Sequence, residues 1–282
     1  MVVSKSFQFY TNLCYVKHNI NTSYYVYEMA SCIAVLTRGY PEVEQYQPLV
    51  QRNMHIERCM GDKSIPLLIF HEGNIPEIYK GYIRCNTPDL DIRFINVKNG
   101  LAFIREKESI PHKEDTVEFT IAYRHMCSFW FVDFWNFVDE FDYILRIDDY
   151  CFIDFQIDDM FASLKKCNFI YGKWQNDDEF VTTGLNEATC EFLGNNSTKR
   201  MGSKSPSGPY TGVFAMNLRS IRDSLLLRQY VQFIDDTSMI YGNRWGDVAL
   251  WGEVIFYIFG MNTAESQRVR YYNVSTEKFV SM

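Results

Sequence analysis

The chain has no C-x-x-C pair, no basic excess, no internal repeat and no apolar run approaching the ~20 residues of a membrane span. Each absence removes a class. Eight scattered cysteines (Cys14, Cys32, Cys59, Cys85, Cys127, Cys151, Cys167, Cys190) lack zinc-ligand spacing. Several stand in apolar runs, as Cys32 does in Ser-Cys-Ile-Ala-Val-Leu, so free core thiols are expected rather than disulfides. The formal charge of −7 argues against a broad nucleic-acid surface, which needs a basic excess to neutralise phosphates. It leaves room for a small nucleotide held by a few arginines or a metal. With no membrane span and no basic, apolar signal-like start, the expected location is the cytosol. The glycosylation sequons at Asn21, Asn195, Asn196 and Asn273 then read as chance matches.

What is present is apolar mass: 47% hydrophobic and 16% aromatic residues, enough for a sizeable core. After a polar, Tyr-rich leader (1–28), short β-rich runs alternate with longer helical patterns. Strands are expected at 32–37, 66–70, 92–97, 143–147, 168–174, 211–216 and 268–274. Helices are expected at 42–58, 75–85, 115–141, 158–166, 218–234 and 247–259. Continuous apolar runs are the form of strands buried on both faces, and the β-α-β-α order predicts a mainly parallel sheet flanked by helices. Such sheets bind ligands at the carboxyl ends of their strands. Residues 184–208 are rich in Gly, Asn, Ser and Lys and read as a loop. No linker is visible, so 29–282 reads as one domain.

Asp-Asp occurs four times, at 148–149, 158–159, 177–178 and 235–236. Only Asp148-Asp149 directly follows a buried-type strand, Tyr143-Ile-Leu-Arg-Ile147, and precedes another apolar patch, Cys151-Phe-Ile153. Two carboxylates there need a cation to offset their desolvation. Mg²⁺ or Mn²⁺ carrying a diphosphate is one answer; an ion pair with Arg146 or Arg124 is the other. Asp247 opens a helical pattern, where it could also cap the first turn. His71 and Glu72 end the second strand at the ligand edge, and His125 reads as a packed or surface helix residue.

Three motifs occur in order: Tyr123-Arg-His-Met-Cys-Ser-Phe-Trp130, Tyr143-Ile-Leu-Arg-Ile-Asp-Asp149 and Arg244-Trp-Gly-Asp247. Together they resemble the fungal α-1,2-mannosyltransferases of glycosyltransferase family 15, with Y-R-x-M-C-R-F, Y-x-x-R-[VL]-[ED] and R-W-G-D-A-P-V-H-S. Val35-Leu-Thr-Arg-Gly39 also suits that family's first strand. The resemblance implies a GT-A nucleotide-sugar-binding fold and transfer of a sugar from a nucleoside diphosphate, GDP-mannose or a UDP-sugar, to a glycan hydroxyl. It implies a donor site of Thr37, Arg38, Tyr123, Arg124, Asp148 and Asp149, with Asp148 and Asp149 holding Mn²⁺ or Mg²⁺. Asp247 would be the catalytic residue near the acceptor. Read from the residues alone, Trp245 and Trp251 are candidate acceptor platforms, although a Trp beside a buried helix is more often core.

The departures are specific. The family's N-F-E-I reads Val213-Phe-Ala-Met216, so Ala215 stands where a nucleophilic Glu has been proposed. The late G-Y-H-H reads Arg270-Tyr-Tyr-Asn273, and Tyr150 stands where relatives keep a third acid. Two alternatives therefore stand beside transfer: a degenerate binder of sugar nucleotides or glycans, and a nucleotidyltransferase, although Leu36-Thr-Arg-Gly-Tyr40 offers only one glycine for a phosphate loop. A cytosolic transferase related to secretory-pathway enzymes would suit a virus or microbe that builds glycans outside that pathway.

Overall fold

A computed structural model describes residues 29–100, 110, 120–153, 155–194, 206–266, 269–273 and 278–281. The predicted leader (1–28) lies outside them. The strands, in chain order, are β1 (Ser31–Leu36), β2 (Leu67–His71), β3 (Ile92–Asn96), β4 (Tyr143–Ile147), β5 (Cys151–Ile153) and β6 (Phe169–Tyr171). They continue with β7 (Trp174–Asn176), β8 (Ser207–Pro209), β9 (Val213–Asn217), β10 (Ala264–Ser266), β11 (Val269–Asn273) and β12 (Lys278–Ser281).

Seven strands form the central sheet in the order β10-β6-β9-β4-β1-β2-β3. Its pairings are parallel except for β9, which runs antiparallel to both β4 and β6. The mainly parallel α/β sheet expected from the sequence is present. Alternate residues feed two cores. Cys32, Ala34, Ile144 and Phe214 enter one; Ile33, Val35, Leu145 and Val213 enter the other. Both faces are dry, and this explains why the strands read as unbroken apolar runs. Two smaller sheets, β12-β11-β5 and β7-β8, lie beside this one.

Helices cover the faces, several of them reshaped relative to expectation. The 42–58 pattern becomes a short 3₁₀ turn (Val43–Tyr46) and an α-helix (Gln47–Cys59) with Pro48 in its first turn. Within 115–141, residues Ile121–Ser128 are α-helical, then Phe129–Asp133 widens to a π-turn and Phe134–Phe137 tightens to 3₁₀. The wide turn buries Phe129, Trp130 and Phe131 in succession, which a regular 3.6-residue turn does not do on one face. The 218–234 pattern splits into Leu218–Arg222 and Leu225–Thr237, because the Ser224 hydroxyl caps the second helix by accepting from the Leu227 N–H at 3.2 Å.

The loop reading of 184–208 is corrected. Leu185–Phe192 is a helix entered through Gly184 at φ 78°, and β8 occupies Ser207–Pro209. Its helix buries Leu185 and Thr189; the Gly/Asn/Ser-rich composition begins only after it, and 195–205 lie outside the described residues. Glycine fits β8 to the helix Asp247–Glu253: a Cβ on Gly208 would meet the Val248 carbonyl oxygen at 1.8 Å, and one on Gly252 the Ser207 oxygen at 1.9 Å. Backbone therefore lies directly on backbone beneath Asp247. All seven described cysteines are free thiols. Among the described residues no helix is long and apolar enough to cross a membrane.

Candidate active site

β1 and β4 are parallel neighbours, so their carboxyl ends open side by side. β4 ends in a tight turn, Asp148 to Cys151, closed by the Cys151 N–H donating to the Asp148 carbonyl at 2.9 Å. Thr37, just past β1, donates from its hydroxyl to Asp149 Oδ2 at 3.0 Å. Arg38 is exposed and stacks over the Tyr40 ring at 4.9 Å. Thr37, Arg38, Asp148 and Asp149 thus lie at adjoining strand ends, with Tyr150 exposed beside them.

Arg146 organises the rest. It lies within β4, buried at 3%, with its guanidinium 4.5 Å above the Trp130 ring. Nε and Nη2 donate to the two oxygens of Asp148 at 2.8 and 2.9 Å, a bidentate clamp. Nη1 donates to Asp247 Oδ2 at 2.5 Å. The ion-pair alternative for the acidic pair is therefore realised for Asp148, and one cation joins two acids expected in different halves of the site. Burial would lower the Arg146 pKa, but Asp148 and Asp247 outweigh it and drive it upward.

Asp247 is not the helix cap. Gly246 holds that position, and Asp247 is the first helical residue, its carboxylate turned inward. Among the described residues, its Oδ1 accepts from the Cys127 thiol alone, at 3.7 Å. Tyr123 and Arg124 stand on the helix Ile121–Ser128; Arg124 is buried, while Tyr123 is half-buried beside Cys127, with the neighbouring Cys127, burial and the charge of Asp247 raising its phenol well above the usual range. Asp177 belongs to the same neighbourhood: its Oδ2 lies 3.1 Å from where a Gly246 Cβ would sit, and burial raises its carboxyl.

Trp245 and Trp251 do not line an open surface. They are 2% and 1% exposed, and their indole N–H groups donate to the Thr183 and Trp130 carbonyls at 2.9 and 3.3 Å. Trp251 packs among Phe131, Phe134, Phe169 and Phe214, so core packing, rather than a sugar platform, accounts for it. His71 is buried, its Nδ1 accepting from the Gly73 N–H at 2.9 Å, and burial lowers its pKa to about 4. His125 packs inside against the Tyr241 hydroxyl at 2.9 Å.

One residue went unnoticed in the sequence. Arg52, fully buried on the helix Gln47–Cys59, donates from Nη1 to the Ile147 carbonyl at 2.9 Å, while its Nε and Nη2 have no partner among the described residues. It approaches the acidic turn from the face opposite Arg146. Burial lowers its pKa to about 10 against the pull of Asp149 and Asp148. The available signal was positional: Leu49, Arg52, Asn53 and Ile56 make one helical stripe, and an arginine on a buried stripe needs an acid.

The donor atoms limit how a divalent cation could bind. Among the described residues no cluster of three or more His, Cys, Asp or Glu side chains is arranged to hold a metal. Both Asp148 oxygens are engaged by Arg146 and Asp149 Oδ2 by Thr37, whereas Asp149 Oδ1 is buried without a partner among the described residues. Burial pushes the Asp149 carboxyl up to about 6, against Arg52 and the Thr37 hydroxyl. An orphaned carboxylate oxygen fits the way Mg²⁺ and Mn²⁺ are held by one or two carboxylates together with substrate phosphates and water. It does not fit an all-protein cage.

Comparison with known proteins adds the decisive observation. No family model matches the chain, and no curated protein matches it by sequence. Solved structures do. The chain superposes on the mannosyltransferase Ktr4p from S. cerevisiae with TM-score 0.65 and 15% identity, covering 88% of this chain and 71% of that one. Core-mannan synthase A from Aspergillus fumigatus, in an Mn/GDP form, gives TM-score 0.68 at 14% identity, covering 89% and 76%. This is a GT-A glycosyltransferase fold. Mouse xyloside xylosyltransferase 1 shares the GT-A fold more distantly, at TM-score 0.50 and 15% identity over 85% of each chain. Within the GT-A frame of this chain, β9 carries Ala215, fully buried between Leu145 and Ile170, at the position where the sequence resemblance expected a Glu. The backbone of β11 pairs with β5 directly after the acidic turn.

Proposed function

We propose that the chain transfers a sugar from a nucleoside-diphosphate sugar, GDP-mannose or a UDP-sugar, to a hydroxyl of a glycan. The observation that carries the reading is the acidic turn Asp148-Asp149 at the carboxyl end of β4, beside Thr37 and Arg38 at the end of β1, within a GT-A fold. In this reading Thr37 and Arg38 contact the nucleoside and its phosphates, Tyr123 and Arg124 line the nucleotide site, and Asp149 with Asp148 would hold Mn²⁺ or Mg²⁺ alongside the diphosphate. When bound, the cation would neutralise the departing nucleoside diphosphate.

Asp247 is the proposed general base. Its Oδ2 is committed to Arg146, so the acceptor hydroxyl's proton goes to Oδ1, whose partner is a weak thiol donor. Asp247 is buried, so this role requires the turn 244–247 to open toward the acceptor. Arg146 then acts by positioning, holding Asp148 and Asp247 in fixed relation.

One observation favours a second reading, a non-catalytic binder of sugar nucleotides or glycans. Arg146 satisfies three of the four carboxylate oxygens of Asp148 and Asp247, an arrangement that stands as an ion-pair network without any reaction. A thermal-shift panel of GDP- and UDP-sugars, with and without Mn²⁺, tests both. The transfer reading expects stabilisation by one nucleotide sugar, its loss in Asp148→Ala and Asp149→Ala, and slow hydrolysis of that sugar nucleotide. Stabilisation without hydrolysis or transfer selects the binder. Absence of any response removes both donor-site readings.

A further inference from the structure

With Trp245 and Trp251 buried, the acceptor side of the site needs another contact surface, and the described residues offer one large exposed ring beside the turn 244–247. Phe180 is 47% exposed. It sits in a tight turn in which the Val181 and Thr182 N–H groups both donate to the Asp178 carbonyl, at 3.1 and 3.2 Å. That turn is stapled to 243–245 from both sides. Asn243 Nδ2 and Trp245 Nε1 donate to the same Thr183 carbonyl, at 3.2 and 2.9 Å. Between these two anchors Arg244 projects its guanidinium onto the Phe180 ring, 5.1 Å from the centroid.

The two anchors hold a strained backbone in place. Arg244 has φ 63°, a left-handed conformation that a non-glycine residue adopts at a cost on the order of 1 kcal/mol or more. The conformation lets residues 243 and 245 reach one carbonyl while 244 points at the ring. Three residues later comes Asp247, and the Asp177 carboxylate, at the base of the same turn, lies 3.1 Å from where a Gly246 Cβ would sit. A lone exposed phenylalanine needs no explanation. A ring held by a double staple and backed by a buried arginine, next to the proposed base, is different: it is fixed before any ligand arrives, so little ordering entropy is lost on binding.

We infer that Phe180, seated on Arg244, is the platform on which the acceptor glycan stacks the apolar C–H face of a pyranose ring. This rests on the glycosyl-transfer reading for the identity of its ligand, and goes beyond it by naming the acceptor contact.

The test uses the full chain and ligand-observed NMR titrations. The probes are methyl glycosides of mannose, glucose, galactose and xylose and their α- and β-linked disaccharides, each added with GDP or UDP present. Thermal shift with GDP and UDP is recorded on the same samples. Variants are Phe180→Ala, Phe180→Leu and Phe180→Tyr, with Leu225→Ala as an exposed apolar control on the helix Leu225–Thr237. The expected result is binding of at least one glycan, weakened about tenfold in the Ala and Leu variants and kept within about twofold in the Tyr and Leu225 variants. A Leu variant that binds like wild type would show that aromatic stacking is not used and overturn the inference. So would an unaffected Ala variant, or a chain that responds to a nucleotide but to none of the glycans. Ring-dependent glycan binding without any nucleotide response would support the platform and sink the donor-site reading instead, which separates the two claims.

Discussion

Replacing Arg146 by Met tests the centre of the site most directly. The side chain keeps its approximate volume and its contact with Trp130, but the guanidinium bonds to Asp148 and Asp247 vanish. The two acids are not equally affected. The Asp148 side chain is 36% exposed, so water and salt can replace much of what it loses. The Asp247 side chain is 2% exposed and is left as a buried charge with only a thiol partner among the described residues. Removing one partner of such a buried pair costs about 3–5 kcal/mol, and most of this belongs to Asp247. At about 2–4 °C per kcal/mol, the melting temperature should fall on the order of 10 °C. Urea unfolding of wild type, R146M, D247N and the double variant forms the assay. In the double variant the orphaned charge is gone, so it should be less destabilised than the sum of the singles, with a coupling of about 1–3 kcal/mol. A cost under about 1 kcal/mol for R146M, or singles additive within about 0.5 kcal/mol, would refute the reasoning.

Three further substitutions follow from the geometry. Because burial raises Asp149 to about 6, the fold binds this proton more tightly than the unfolded chain does between about pH 4 and pH 6. Stability from this group therefore falls as pH rises through that window, and Asp149→Asn should be more stable than wild type at pH 8 by up to about 3 kcal/mol, converging toward pH 4. Urea midpoints at pH 4, 6 and 8 check this; a gain largest at pH 4 would contradict the sign. Gly252→Ala should destabilise by about 1–3 kcal/mol or more, since its Cβ would meet the Ser207 carbonyl oxygen at 1.9 Å. Gly81→Ala, in the helix Glu77–Asn86 with nothing within 4 Å, should stabilise by about 0.5–1 kcal/mol. Thermal melts of the two variants moving in the same direction would argue against the close β8–helix contact.

The central strands were legible because burial on both faces leaves no polar alternation. β1, β2, β3, β4 and β9 fall within a residue or two of the expected runs. The three-residue strands β5, β7, β8 and β10 were not separated as strands, because pairing, not pattern, makes segments that short into strands. The same holds for the helix Leu185–Phe192, absorbed into a loop reading by the composition that follows it. Trp245 shows the limit for site residues: beside Asp247 in sequence it could be core or a sugar platform, and its bond to Thr183 and its burial decide for the core.

By itself the sequence determined the mainly parallel sheet and the position of Asp148-Asp149 just past the carboxyl end of β4. These follow from local rules: apolar runs and where they end. Tertiary structure alone decided which charges pair. Arg146 takes Asp148 and Asp247, Arg52 comes from the opposite face, Asp177 joins the neighbourhood, and Phe180 rather than a tryptophan stays exposed. The physical reason is that desolvation and Coulomb attraction depend on distances across the sheet between residues far apart in the chain, and no local pattern encodes those distances.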